Sequence, residues 1–236
     1  MDILGVRVDN LSRDEILRNV LIFLGEKKIH QIATVNPEFI LEAQKDEEFR
    51  NILNGCDLNI ADGFGIKLAF WRFGETLKAR ATGIDLMQEI LKIAEKGNLK
   101  IFLAANSRGL STWEEAAAAI KNKYPGLDVN GENLDKNVAD HNLPGANYEI
   151  IFCNFGAPHQ EKFLNSLKSA ENSKIRLAMG AGGSFDYLTG KVQRAPAWMQ
   201  KTGLEWLWRL IQQPRRIKRI INATIIFPVK IILKKQ

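Results

Sequence analysis

Apolar positions along this chain follow two rhythms that alternate. Ile16, Leu17, Val20, Leu21 and Leu24 recur at i, i+1, i+4, i+5 and i+8, the stripe of an amphipathic helix. Ser12 and Glu15 stand at its start as a capping box, each side chain satisfying the other residue's backbone amide. Residues 29–35 (IHQIATV) then read as a strand. Asn36-Pro37 supplies an N-cap and a first helical residue for a helix running through Ala43. The same alternation continues. Strands are predicted at 58–61, 100–105, 148–154 and 175–179, and helices at 63–73, 83–94 and 111–123. Pro125-Gly126 stops the last of these. Short strands separated by helices imply an α/β fold with a parallel sheet covered on both faces.

The composition narrows this further. At 236 residues, with 45% hydrophobic and 25% charged side chains, the chain can bury one substantial core. Collagen-like, disordered and polytopic membrane classes are excluded. Cys56 and Cys153 lie far apart with no CxxC, so they read as buried thiols in a reducing compartment. The first ten residues, MDILGVRVDN, carry an early charge and no long apolar run, unlike a signal peptide.

The net charge of +6 is unevenly placed. Residues 206–236 hold eight basic side chains (Arg209, Arg215, Arg216, Lys218, Arg219, Lys230, Lys234 and Lys235) and no acid, leaving 25 basic against 27 acidic before them. Ile217, Ile220, Ile221, Thr224 and Ile225 fall on one side at helical spacing, with Arg215, Arg216, Lys218 and Arg219 largely opposite. That is the pattern of a basic interfacial helix on an anionic membrane surface. Its charge-free run, 220–229, is far shorter than the ~20 residues of a membrane span. Trp198, Trp206 and Trp208 suit a headgroup boundary. Nucleic acid is the competing polyanion, and the isoleucine face argues against it. The chain therefore divides into an α/β core at 1–203 and a basic helical appendage at 204–236.

In open parallel sheets ligands bind beyond the carboxyl ends of the strands. Five such segments carry small or polar residues: around Thr34 and Asn36, Asp62 and Gly63, Asn106, Gly156 and Gln160, and Gly182-Gly183-Ser184. Asp62 reads either as a general base or as a helix N-cap. Thr34 and Gln160 could orient a sugar or cap helices. The turn 180–183 reads as a phosphate cradle opening a helix at Ser184, or as a plain tight turn. Asp186 is a first-turn acid or a ligand acceptor. No GxGxxG turn is present near the N-terminus, against a nucleotide-sugar epimerase or dehydrogenase. The three histidines form neither a triad nor a metal set.

Several stretches resemble one family. Residues 175–210, IRLAMGAGGSFDYLTGKVQRAPAWMQKTGLEWLWRL, resemble the signature region of the WecG/TagA/CpsF glycosyltransferases. FGAPHQEKF at 155–163 is similar to their GAPxQE motif, NIADGFGI at 59–66 to their DGxG segment, and ATVNPE at 33–38 to their Thr/Asn segment. The resemblance implies a Rossmann-like fold and an inverting, metal-independent transfer without cofactor. A sugar would move from a UDP donor to an undecaprenyl-diphosphate-linked acceptor, on the inner face of the cell membrane. N-acetylmannosamine for wall teichoic acid or surface polysaccharide is the first expectation; its uronic acid or glucose are alternatives. It further implies Asp62 as general base, Thr34 and Gln160 in the catalytic pocket, and Arg209, Arg216 and Arg219 completing the site from the tail. Asn36, Gly63, Gly156, Gly182, Gly183, Ser184 and Asp186 are expected to bind substrate. Homo-oligomerisation stays open. One segment departs from the family: NGENLDKN at 130–137 replaces a Gly-Tyr-Phe-like loop. His159 also stands where relatives carry lysine or arginine.

Overall fold

The computed structural model describes residues 1–137, 147–169 and 174–234. A small hairpin, β1 (Asp2–Ile3) and β2 (Val6–Arg7), opens the chain. Helix α1 (Arg13–Gly25) follows with the expected reciprocal cap: Ser12 N–H donates to Glu15 at 2.7 Å and Glu15 N–H to Ser12 Oγ at 3.3 Å. Strand β3 (His30–Val35) leads into α2 (Pro37–Ala43), whose first amides donate to Asn36 Oδ1. Next come α3 (Glu47–Asn54), β4 (Leu58–Ala61), α4 (Phe64–Arg72), α5 (Gly83–Lys96), β5 (Ile101–Asn106), α6 (Trp113–Lys123), β6 (Val129–Leu134) and β7 (Ile150–Cys153). The core closes with α7 (His159–Ser166), β8 (Leu177–Gly180), α8 (Ser184–Leu188) and α9 (Ala197–Thr202). The tail consists of α10 (Glu205–Gln212), α11 (Ile217–Ile221), a π-helical turn at Asn222–Ile226, and α12 (Phe227–Leu233).

Six strands form one parallel sheet in the order β4-β3-β8-β7-β5-β6. Side chains alternate across it, as a pleated strand requires. Ile32, Leu103, Phe152 and Met179 face a core shared with α1, α5 and α6. Ala33 and Val35 face the opposite layer of α2, α3 and α4, and Phe102, Ile151 and Ala178 face α7. The α/β expectation and its parallel sheet hold.

Three elements differ from the pattern-based expectation. The stretch beginning at Asn130, read as a loop, is largely edge strand β6, paired with β5 at six positions. Only Val129 and Leu134 are buried in it, and an edge strand with that little core face carries no apolar alternation to read. Gly131 is required there, since a Cβ would stand 2.5 Å from Leu103 O. Helix α3 buries just Phe49 and Leu53, and the hairpin strands are two residues long, too short for any periodicity.

The tail also packs differently. The isoleucines do not share one face: Ile220 is buried while Ile217, Ile221 and Ile225 are exposed. Phe227 and Ile231 insert into the core beside α2 and α4. Gly65 permits this approach; a Cβ there would meet Pro37 at 2.5 Å and the Phe227 ring at 3.4 Å. Nor do the cations all face outward, for Arg209 and Arg216 are partly buried in the cleft and Arg219, though exposed, borders it. Three have acidic partners: Arg209 with Glu205, Arg219 with Glu38 and Lys234 with Asp2. Lys235 lies outside the described residues.

Candidate active site at the carboxyl edge of the sheet

A cleft of about 1250 Å³ opens above the carboxyl ends of β4, β3, β8, β7 and β5, roofed by α10, α11 and the π-helical turn. Thr34, Asn36, Asp62, Gly63, Gly156, Gln160, Gly182, Gly183, Ser184, Asp186, Arg209, Arg216 and Arg219 all line it. The sequence places these residues up to 185 positions apart (Thr34 to Arg219); the parallel topology puts every strand end on one rim.

Asp62 is the carboxylate at the floor. Its backbone N–H donates to Val35 O at 2.8 Å, carrying the β3–β4 pairing one residue past the strand. Gly63, at φ +87°, occupies the N-cap of α4, and no side chain caps that helix, so the capping alternative for Asp62 is not realised. Burial raises its pKa to about 6; Arg209 and Arg80 oppose the shift, and Glu205 and Asp85 reinforce it. A carboxylate tuned near neutrality is suited to taking up a proton.

Gln160 is committed to the protein on both sides of its amide. Its Oε1 accepts from Gly156 N–H at 3.1 Å and Gly182 N–H at 3.2 Å, tying together the turns after β7 and β8. Its Nε2 donates to Glu161 Oε1 at 2.6 Å. Glu161 is 1% exposed, and burial pushes its pKa up to about 8, so it is mostly a neutral acid at pH 7. The pair presses on β8, where a Cβ on Gly180 would stand 2.3 Å from Gln160 Nε2.

The glycine turn is less free than its sequence suggests. Gly182 N–H is spent on Gln160, Ser184 N–H donates to Ala181 O, and α8 has five residues. Its dipole is therefore small, and the positive charge of the cleft comes chiefly from side chains. Arg209 stacks 5.3 Å above the Tyr187 ring and lies 3.8 Å from Glu205. Arg219 is held by Glu38 in the first turn of α2, with Nε 2.7 Å from Oε2. Burial, then Arg219 and Arg209, pull the Arg216 pKa down, as happens when cations crowd a partly desolvated site. Asp186 accepts from Ser111 Oγ at 2.8 Å, and burial raises its pKa.

Sequence reasoning passed over Arg80, Glu38, Glu205 and Tyr187 at the cleft, and Glu161 behind it. Arg80 sits in an aperiodic connection, and the others read as ordinary helix residues. Only the EKF context of Glu161, beside Gln160, hinted at more. His159 does not line the cleft. Cys56 and Cys153 are buried, the first with its thiol pushed up to about 12 by burial, so both are inert.

A comparison with known sequences decides the family. All 236 residues match the glycosyl transferase WecG/TagA/CpsF family. The chain belongs to that family. Relatives include an N-acetylglucosaminyldiphosphoundecaprenol N-acetyl-beta-D-mannosaminyltransferase of Bacillus subtilis (strain 168), 32% identical across 85% of this chain and 78% of the relative. A protein of the same description from Staphylococcus aureus (strain MRSA252) is 31% identical across 100% of this chain and 93% of the relative. In this glycosyl transferase the cleft sets a carboxylate of raised pKa in its floor, against arginines delivered by the tail. Among the described residues no helix is long and apolar enough to cross a membrane.

Proposed function

We propose that this glycosyl transferase moves N-acetylmannosamine from a UDP donor to the N-acetylglucosamine of a diphosphoundecaprenol-linked acceptor, with inversion, at an early step of wall teichoic acid or a related surface polysaccharide. The transferred sugar and the acceptor are those suggested by the relatives' names, and the UDP carrier is the one the family resemblance implies. The observation that carries the mechanism is Asp62, with its pKa near 6, facing Arg209, Arg216 and Arg219 across one cleft.

Asp62 takes the proton of the acceptor hydroxyl as its oxygen bonds to the anomeric carbon. The bond from that carbon to the diphosphate breaks on the opposite face, and UDP departs with the electron pair. Negative charge grows on the leaving diphosphate, and the tail arginines with Arg80 meet it. The Arg209 guanidinium is already held by Tyr187 and Glu205 and that of Arg219 by Glu38, which reduces reorganisation during reaction. No bound metal is needed in this scheme. Gln160 holds the two glycine turns that shape the donor end, and Thr34 on β3 faces Gly83 at the start of α5, its Oγ1 3.4 Å from where a Cβ on that glycine would stand.

Residues 204–236 act as a unit that both closes the site and seats the enzyme on an anionic membrane. Ile217, Ile221, Ile225 and Val229 are exposed at near one-turn intervals, with Arg215, Lys218 and Lys230 also at the surface. That arrangement suits apolar insertion beneath anionic headgroups.

The test is UDP release from a panel of UDP-sugars with a short-chain lipid-diphosphate-N-acetylglucosamine acceptor. Acceptor-dependent release from UDP-N-acetylmannosamine that falls by about 10³-fold in Asp62→Asn is the expected result. Release with UDP-glucose or the uronic acid instead would keep the mechanism and change the donor. Absence of release from every donor, with lipid vesicles present, would overturn the reading.

A further inference from the structure

Helix α4 exposes large apolar side chains beside the cleft that neither the core nor the chemistry above uses. Its core face is Ile66, Ala69 and Phe70. Phe64 is 46% exposed and Trp71 74%, and with Leu68 they stand at i, i+4 and i+7 on a single helical face. Phe64 and Leu68 line the cleft that contains Asp62, together with Trp206 and Pro228 of the tail. Gly203, at φ +80°, lets the chain pass against the Phe64 ring; a Cβ there would come within 2.6 Å of it.

Helix α12 runs beside α4 in the same direction. Phe227 touches Gly65 at the start of α4, and Lys234 Nζ lies 5.9 Å from the Phe73 ring just past its end. Pro228 borders the cleft with Leu68, and Ile232, one turn on and 60% exposed, continues the same side of α12. Two apolar walls therefore leave the cleft and extend about 10 Å along α4. At their inner end, Lys67 Nζ stands 6.0 Å from the Phe64 ring centroid. An anion-pairing group followed by an apolar track is what a polyprenyl diphosphate requires.

The cleft is polar at its other end. Asn106, Arg108, Asp186 and Lys191 lie there, on the side of β5 and β8. Asp62 immediately precedes α4, so an acceptor lying over α4 brings its sugar to the base with its chain directed away from the nucleotide end. We propose that the track between α4 and α12, from Phe64 and Leu68 to Trp71 and Ile232, binds the first isoprenyl units of the lipid acceptor. The proposal rests on the function proposed above. It assigns separate ends of the cleft to nucleotide and lipid.

The experiment compares two acceptors with the same diphosphate-sugar head, one bearing a long polyprenyl chain and one a short alkyl chain, in detergent micelles. The wild-type chain is set against Trp71→Ala and Ile232→Ala, both at exposed positions and with their fold checked by circular dichroism, and against Trp71→Phe as the conservative variant. The ratio of kcat/KM for long over short acceptor is expected to fall about tenfold in Trp71→Ala and to recover in Trp71→Phe. The KM for the UDP-sugar is read in parallel, and binding to anionic vesicles without acceptor is measured for each variant. An unchanged ratio overturns the lipid track. A loss of vesicle binding that accounts for the whole effect overturns it in favour of a bilayer contact, and a change of sedimentation coefficient in favour of a second copy of the chain. Absence of wild-type turnover on both acceptors overturns the underlying function instead, a result separate from an unchanged ratio in an active enzyme.

Discussion

At the scale of single residues, two carboxyl groups of raised pKa divide the work. Asp62 faces the cleft and its pKa of about 6 comes first from burial, with Glu205 adding to it and Arg209 and Arg80 subtracting. A base works only when deprotonated, so kcat/KM is expected to rise with pH through about 6 and level off above it. Removing the Glu205 charge in Glu205→Gln moves that midpoint to lower pH, which a pH–rate profile of the two proteins checks. Glu161 faces away from the substrate and secures the Gln160 amide. Its folded pKa of about 8 lies above the unfolded value near 4.5. The folded state thus holds a proton that the unfolded chain has released, and stability falls as pH rises between those values. Glu161→Gln, which has no proton to lose, is expected to show a flatter melting temperature between pH 5 and pH 9 than wild type. The Asp-Gly pair after a strand was visible in the sequence. The raised pKa was not, because burial and the neighbouring charges come from residues remote in the chain.

At the scale of elements, close contacts decide which glycines are needed. Gly180 on β8 faces the Gln160–Glu161 pair at a distance no Cβ tolerates. Gly180→Ala is expected to cost about 1–3 kcal/mol by overpacking and to lower activity by displacing the two turns that Gln160 joins; denaturant melts and UDP release measure both. Helix α12 is anchored by Phe227, fully buried beside Gly65. Phe227→Ala is expected to cost about 3–5 kcal/mol and to reduce turnover more than an exposed substitution such as Ile225→Ser. Helix α1 was legible because a capping box is local chemistry. Strand β6 was not legible, because its edge position comes from pairing with β5 and its own side chains are mostly polar.

At the scale of the whole molecule, the tail crosses from its own end of the chain back to the first half of the core. Arg219 meets Glu38, Lys234 meets Asp2, and Phe227 and Ile231 pack beside α2 and α4. If this one unit serves both site and surface, changing its outer face leaves the chemistry in place. Ile221→Ser combined with Ile225→Ser is expected to weaken binding to anionic vesicles in a flotation assay, while turnover on a soluble short-chain acceptor persists. Binding is expected to weaken as salt rises, because headgroup attraction is screened. Treatment with EDTA is expected to leave turnover unchanged, since arginines carry the charge stabilisation in the proposed scheme.

Local rules in the sequence determined the α/β alternation, the capped helices, the parallel sheet and the segments that would meet at its carboxyl edge. These follow from periodicity of two or about four residues and from the direction that strand–helix–strand connections impose. The family motifs added which side chains to watch there. Tertiary structure alone decided the strand order, the burial that tunes Asp62 and Glu161, and the packing of Phe227 and Ile231 into the core while Ile217, Ile221 and Ile225 stay exposed. A helical repeat records that a face is apolar. It cannot record which of two apolar faces meets the core, because that depends on the surface brought opposite it by the rest of the fold.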